Sequence, residues 1–306
     1  GVLEVGMDKK GEIDLLTKII TPDIGIITNI SYAHSKNFKN INGIALAKAE
    51  IIKNIRQNGT VVLNGDDQFF NFHKKLALKK KLKILSFGIK KHFLSTRLIK
   101  IKKINKRFKF LIKIGNNLYN FYSKNNNKSN IYNILATLTV LNIFKDLTKI
   151  SRKIFLDFEP PEGRGDISKI KINKKNVVLV DETYNSNPLS LRTAIENFDK
   201  IKKKNNLKKY IILGDMLELG NHSSKQHKLI SKIINQSNIY KVYVYGKYIK
   251  ETYKGLKTNK KAKILTKKSQ IIDLINRDLN NNDYLMIKGS NAIGLHKITK
   301  ILKQGI

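Results

Sequence analysis

Residues 23–67 read DIGIITNISYAHSKNFKNINGIALAKAEIIKNIRQNGTVVLNGDD. Residues 23–29 are an apolar run of the length of a buried strand. Ile44, Ile51, Ile52 and Ile55 then fall at i, i+7, i+8 and i+11, one face of a 3.6-residue period, which predicts a helix over 41–56. Residues 60–64 are a second apolar run, closed by Gly65-Asp66-Asp67. Parallel neighbours need a crossover between them, and strand–helix–strand is the unit that supplies it. The expectation is an α/β fold with a largely parallel sheet.

Upstream, Gly1-Val2-Leu3-Glu4-Val5-Gly6 reads as a strand already in progress. Natural chains rarely open inside a core strand, so further polypeptide is expected before residue 1. Downstream, a helix runs to about residue 80. Residues 82–122 then change character. Short strands over 83–87, 94–104, 106–114 and 117–122, two of them joined by the turn Gly115-Asn116, predict an antiparallel insertion. A helix over 131–144 closes a first domain, residues 1–157. The segment Phe158-Glu159-Pro160-Pro161-Glu162-Gly163 holds two of the four prolines and no hydrophobic period, so it marks a boundary. Beyond it the alternation restarts, with strands near 177–180, 210–213, 241–245, 263–265 and 284–287. Residues 158–306 therefore read as a Rossmann-like doubly wound domain, in which ligands bind at the carboxyl ends of strands. Asp181-Glu182, Gly214-Asp215 and Lys288-Gly289-Ser290 fall at such ends, as turn residues of any α/β domain also would.

Composition narrows the class. A chain of 306 residues exceeds what one core usually serves, so two domains are expected. With no cysteine there are no disulfides or thiolate metal sites, which suits a cytoplasmic protein. No apolar run is long enough to span a bilayer, and no membrane insertion is expected. The net charge of +37 suggests a polyanion partner or, more simply, an AT-rich genome. Lys, Asn and Ile dominate, the lysines are scattered apart from short runs at 79–81 and 202–204, and no RNA-binding aromatic signature accompanies them. The compositional reading is favoured, and no specific nucleic-acid partner is expected.

Several chemistries are excluded by motif. No G-x-x-x-x-G-K-[ST] loop occurs, and Gly246-Lys247 continues into Tyr248 without the required spacing. There is no HExxH and no G-x-S-x-G elbow. Candidates remain at strand ends of the first half: Glu4 on the opening run, His34 after the run 23–29, and Lys48 on the next helix between Ala47 and Ala49. Taken alone, each is more simply read as a solvated surface residue than as part of a site.

Eight strings decide between those readings. EVGMDKKGEI, IGIITNISYAH, GIALAKAEI, SNIYNILAT, PPEGRGD, VDETYNSNP, GDMLELG and IKGSNAIGL resemble, in order, the successive signatures of the Mur ligase family. The resemblance spans essentially the whole chain. Residues 184–188 and 214–220 bring it nearest to the members that add D-alanyl-D-alanine to a UDP-N-acetylmuramoyl-tripeptide.

The resemblance implies a central Mur ligase ATPase domain, lacking its phosphate loop and the uridine-nucleotide domain before it, and a C-terminal Rossmann-like domain. It implies ATP and Mg²⁺ between the two domains. Position by position, Glu4 and His34 resemble the Mg²⁺-binding carboxylate and imidazole, and Lys48 the lysine carbamylated by CO₂. The carbamate would turn a cation into an anionic oxygen donor, which suits a hard metal ion. Asn133 resembles the asparagine that meets adenine. Arg164 resembles the arginine that reaches the phosphates, and Glu182, with Asp181, the ribose-binding carboxylate. Tyr184 and Asn185 fall in the same nucleotide-side signature. Lys288 and Ser290, with Asp215 and Glu218, fall where the incoming dipeptide would be held, although Asp215 and Glu218 equally suit a helix start. The implied reaction forms an acyl phosphate on the tripeptide carboxylate, which the dipeptide amine then attacks. A cytoplasmic monomer active in peptidoglycan precursor synthesis is expected, with the chain alone inactive for want of the phosphate loop. Two alternatives stand beside it: another Mur or folylpolyglutamate-type amide ligase, and a basic polyanion-binding α/β protein.

Overall fold

A computed structural model describes every residue except His34, Glu159, Asn205 and Ile306. The chain divides into two compact units, Gly1–Ser31 with Asn37–Glu159, and Tyr32–Lys36 with Pro160–Ile306. Each has its own six-stranded sheet.

The first unit runs α1 (Glu12–Ile20), β1 (Ile24–Ile27), α2 (Ile41–Asn54), β2 (Thr60–Asn64), α3 (Phe70–Lys79), β3 (Lys83–Gly88), β4 (Thr96–Ile104), β5 (Arg107–Ile114), β6 (Asn117–Ser123) and α4 (Lys128–Phe144). The strands lie in sequence order. β1 to β4 are parallel, and β4, β5 and β6 are antiparallel. The expected antiparallel insertion is therefore present, but it begins at residue 96 rather than 82. Residues 83–88 belong to the parallel part, and the meander over 96–123 extends the same sheet rather than interrupting it. Gly115 supplies the left-handed conformation that its two-residue turn needs, at φ +58°. Alternate residues of β5 and β6, among them Phe110, Ile112 and Phe121, face α4, which buries Ile131, Ile134, Leu135 and Leu138 against them.

A second correction concerns the amino terminus. Residues 1–7 form no strand. Val2 is 98% exposed and Leu3 65%, and no sheet edge pairs with their backbone, which keeps its hydrogen bonds with solvent. Helix α1 was not foreseen either. Its inward positions are only Ile13 and Thr17, while Leu15 and Ile19 are exposed, so its apolar residues do not trace its packing. Its start lacks a local cap. Glu50 of α2 supplies one, accepting from the Gly11 and Asp14 amides at 2.9 and 3.1 Å.

The second unit runs β7 (Asp166–Ile172), β8 (Lys175–Glu182), α5 (Pro188–Lys200), β9 (Lys209–Gly214), α6 (Ser223–Asn235), β10 (Lys241–Tyr245), α7 (Lys250–Lys254), β11 (Lys261–Leu265), α8 (Gln270–Asp278), β12 (Tyr284–Lys288) and α9 (Leu295–Gln304). The strand order is β11-β10-β9-β12-β8-β7, parallel except for β7. Strand β12 enters between β8 and β9. The chain therefore winds outward from β8 to β11 over one face and returns over the other. The two cores record this. Leu191, Phe198, Ile230 and Ile234 of α5 and α6 pack on Ile211, Leu213, Val242 and Val244. Ile271, Ile275, Leu295 and Leu302 of α8 and α9 pack on Tyr210, Ile212, Tyr243 and Leu285. The alternation along β9 and β10 decides which side chain meets which layer. Among the described residues, no helix is long and apolar enough to cross a membrane.

Candidate active site

In the first unit the carboxyl ends of β1, β2 and β3 meet around two adjacent carboxylates. Asp66 accepts from the Ile89 amide at 2.6 Å and from the Tyr132 hydroxyl at 2.8 Å, joining the exit of β3 to α4. Asp67 accepts from the Ile30 and Phe69 amides, both at 2.8 Å, joining the exit of β1 to the start of α3. Asn64 donates to the Thr28 carbonyl at 2.9 Å. Loops that would otherwise hang free are thus fastened at the sheet edge where such folds bind ligands.

Lys48 projects into this place from α2. Buried Ala47 and Ala49 beside it let the helix lie close to the sheet. Lys48 is half-buried, and among the described residues its one hydrogen bond is a long one, 3.4 Å to the Asn29 carbonyl. Burial pushes its pKa down, against the pull of the Asp67 and Glu4 carboxylates. Glu4 is therefore near Lys48, although it is exposed and lies on unpaired chain rather than on a strand. One turn before Lys48, buried His73 contacts the Ala45 carbonyl through Nε2 at 3.1 Å, and burial lowers its pKa. Asn133 is exposed on α4, beside Tyr132. His34 lies outside the described residues.

Carboxylate oxygens such as those of Glu4 and Asp67 suit Mg²⁺, but a bare Lys48 ammonium would repel it. The donor set fits the ion only with Lys48 carbamylated. Among the described residues, no cluster of three or more His, Cys, Asp or Glu side chains could hold a metal. Sequence reasoning noted Asp66-Asp67 as a strand end but did not place either at the site, and it missed Tyr132. Paired carboxylates directly after a parallel strand were the available signal.

In the second unit the loop after β8 carries most of the candidates. Asp181 is buried and saturated. It accepts from the Thr183 amide at 3.0 Å and hydroxyl at 2.6 Å, and pairs with Lys303 of α9 at 2.7 Å. Lys303 also binds Asp166 at 2.6 Å. Lys288, 3% exposed, faces the Glu182 carboxylate at 3.5 Å and donates to the Asn185 carbonyl at 2.8 Å. Burial raises the Glu182 pKa and lowers that of Lys288, while their mutual attraction opposes both shifts. Ser290 is also enclosed. Its hydroxyl accepts from the Leu217 amide at 2.8 Å and donates to the Ser186 carbonyl at 3.1 Å.

Arg164 and Glu182 form no ion pair. The exposed Arg164 guanidinium lies 4.0 Å from the centroid of the Tyr184 ring. Gly163 sits at φ +75°, and a Cβ there would come within 2.8 Å of the Tyr184 amide, so the PPEGRGD turn needs glycine to approach this loop. Asn185 is exposed, and Asn187 forms a capping box with Ser190 ahead of α5, with Pro188 in its first turn.

Asp215 does not start a helix of its own segment. Its carboxylate accepts from the Lys247 and Ile249 amides at 2.9 and 2.7 Å, fastening the turn before α7. A Cβ on Gly246 would fall 2.5 Å from that carboxylate, which explains the glycine in the sequence Gly246-Lys247. Glu218 is exposed, with left-handed backbone at φ +63°. The side chains of Arg164, Tyr184 and Asn185 are thus exposed, whereas Asp181, Asp215, Lys288 and Ser290 are already engaged within the fold.

Two parallel-sheet units, one with a lysine among carboxylates at its strand ends, define a class that the comparisons name. Residues 1–141 match the model of the Mur ligase middle domain, and residues 167–291 that of the Mur ligase, glutamate ligase domain. The chain belongs to the Mur ligase family. It is 31% identical over 300 residues to the UDP-N-acetylmuramoyl-tripeptide–D-alanyl-D-alanine ligase of Rickettsia prowazekii, covering 97% of this chain and 65% of that one. The Bacillus subtilis ligase of the same name is 27% identical over 313 residues, 98% of this chain and 64% of the relative. The chain therefore spans somewhat less than two thirds of these relatives. Among solved structures, MurF of Acinetobacter baumannii superposes with a TM-score of 0.84 at 24% identity, over 99% of this chain and 64% of that one. MurF of Thermotoga maritima, solved in complex with ADP, gives 0.83 at 24% identity, over 99% and 66%. These likenesses establish the fold.

Proposed function

We propose that the protein joins D-alanyl-D-alanine to a UDP-N-acetylmuramoyl-tripeptide at the expense of ATP, in the cytoplasmic synthesis of peptidoglycan precursors. In this reading residues 1–157 are the ATP-binding domain and residues 158–306 the C-terminal ligase domain, in a protein that acts as a monomer. The terminal phosphoryl group of ATP passes to the tripeptide carboxylate, giving an acyl phosphate and ADP. The dipeptide amine attacks the acyl carbon, phosphate leaves, and a proton is released with the new amide. Phosphoryl transfer asks the protein chiefly to position its partners and neutralise charge.

The observation that carries the reading is the setting of Lys48, a half-buried amine with depressed pKa beside carboxylates at the ends of parallel strands. Only a neutral amine adds CO₂. The reaction converts R–NH₂ and CO₂ into R–NH–CO₂⁻ and a proton, so burial of Lys48 favours it. Glu4, His34 and carbamylated Lys48 would then hold Mg²⁺, with Asp67 beside them, and the ion would offset the phosphate charge. Asn133 would contact adenine and Arg164 the phosphates, where a guanidinium fork matches phosphoryl oxygens. Tyr184 and Asn185 would serve the nucleotide side together with Glu182.

The enclosure of Asp181, Asp215, Lys288 and Ser290 favours a supporting role for those residues, with the loops they hold meeting the ligands. The test is ligation by the protein expressed from its full reading frame. The tripeptide nucleotide is offered with D-alanyl-D-alanine, with single amino acids and, separately, with glutamate and a folate acceptor. ATP-dependent product with the dipeptide alone is expected. Preference for any other acceptor would overturn the reading in favour of a sibling ligase.

A further inference from the structure

The loops at the carboxyl ends of the second sheet do not exhaust that unit's charged clefts. An open cavity of about 440 Å³ lies at its opposite edge, where β9, β10 and β11 begin and α8 ends. Register explains why these side chains meet. Lys241 pairs with Tyr210 across β10 and β9, so Tyr243, two residues on, shares the face of Tyr210. Both rings form the floor, and both hydroxyls are held by Asp278, Tyr210 through the carbonyl at 2.8 Å and Tyr243 through the carboxylate. Tyr240 stands as a wall, edge-on to Tyr210 at 5.5 Å.

Cations rim this aromatic base. The Lys208 ammonium sits 4.2 Å from the Tyr240 ring centroid and that of Lys241 5.8 Å from it, and Lys263 and Arg277 complete the rim. The cavity's one carboxylate, Asp278, is already matched by Arg277 at 2.7 and 2.8 Å. Lys208, Lys241 and Lys263 have no carboxylate partner among the described residues. Convergent like charges repel, and an aromatic ring holds two of them in fixed positions, so the arrangement is completed by an anion. The carboxyl end of α8 would oppose one through its dipole. Its last carbonyls, however, accept from the Lys175 ammonium and the Tyr210 hydroxyl.

We propose that this edge is a second anion site, which binds a small oligophosphate. The volume lies in the range of small-molecule sites. Phosphoryl oxygens accept from several ammonium groups at once. Lysine over Tyr240 leaves that ring less free to stack a base, which disfavours a single-stranded nucleic acid. The scattered lysines read as compositional in the sequence, and their convergence exists only in the fold.

The test is amide chemical-shift titration of the protein at fixed ionic strength. The probes are inorganic tripolyphosphate and, in a second arm, guanosine triphosphate. Saturable shifts are expected at residues 208–210, 240–243, 261–263 and 277–278. A tighter fit for guanosine triphosphate assigns a nucleotide, and equal affinity assigns a bare oligophosphate chain. Lys241→Glu with Lys263→Glu should weaken tripolyphosphate at least about tenfold. Lys225→Glu with Lys232→Glu, the same charge change on the exposed face of α6, should weaken it less than about twofold. Lys208→Gln, a milder change, should give a smaller loss at the same amides. Equal loss in both double variants, or shifts spread over the whole basic surface, would overturn the site. Preference for an oligoribonucleotide over both probes would overturn its ligand class.

Discussion

Lys48 of the first unit and the charged candidates of the second are held in opposite conditions. In the second, Asp181, Asp215 and Lys288 are each held by two or more groups of the fold. In the first, Lys48 has one long hydrogen bond and two carboxylates near enough to act on it but not fully paired with it. A saturated group fixes the shape of a loop. A desolvated group with unused capacity is where chemistry or a ligand can be accommodated. The contrast separates enclosed candidates from those with unused capacity, although both kinds occur in the same family signatures.

The largest effect should come from the unsaturated side. Lys48→Ala should lower ligation on the order of a thousandfold with little change in thermal midpoint, and millimolar acetate should partly restore turnover by standing in for the carbamate. An alanine variant with full activity would remove Lys48 from the site. On the saturated side the loss should fall on folding. Lys288→Met leaves Glu182 without its cation and should destabilise by about 3 kcal/mol in urea unfolding. Asp215→Ala frees two amides of the 246–249 turn and should cost about 2 kcal/mol. If either variant kept its midpoint and lost only turnover, the division would fail there.

A smaller effect should appear with pH. Buried His227 accepts from the Met216 amide through Nε2 at 3.0 Å and contacts the Ser223 carbonyl through Nδ1 at 2.8 Å, so it is held neutral, and burial lowers its pKa from 6.5. The unfolded chain binds the proton more readily. Stability should therefore be full above about pH 6.5 and decline as the pH falls below it, toward the folded value. His227→Gln should flatten that decline, and an unchanged slope would assign it to His73 or to carboxylates. Smallest of all, Arg164→Ala removes an exposed contact with Tyr184 worth about 0.5–1 kcal/mol, and should weaken ATP binding far more than it moves the midpoint.

Strand–helix alternation was legible because burial imposes its period on the sequence, as in Ile44, Ile52 and Ile55 along α2 and after it. Helix α1 was not, because its cap comes from Glu50, far along the chain, and Leu15, Leu16 and Ile19 face solvent. The opening run resembled a strand in composition, but a strand also requires a neighbour, which a pattern cannot supply. Lys48 and Glu182 became candidates through motifs. That Asp215 fastens a turn around Gly246, and that Lys288 is locked to Glu182 and Asn185, depends on contacts between residues far apart in sequence.

Carbon-13 spectroscopy of the protein equilibrated with labelled bicarbonate tests the central claim most directly, because it needs neither substrate nor turnover. One carbamate resonance is expected in the wild-type protein, lost on acidification as the amine regains its proton and absent from Lys48→Ala. A spectrum without that resonance, or one unchanged in the variant, would contradict the assignment of Lys48 as the group that acts.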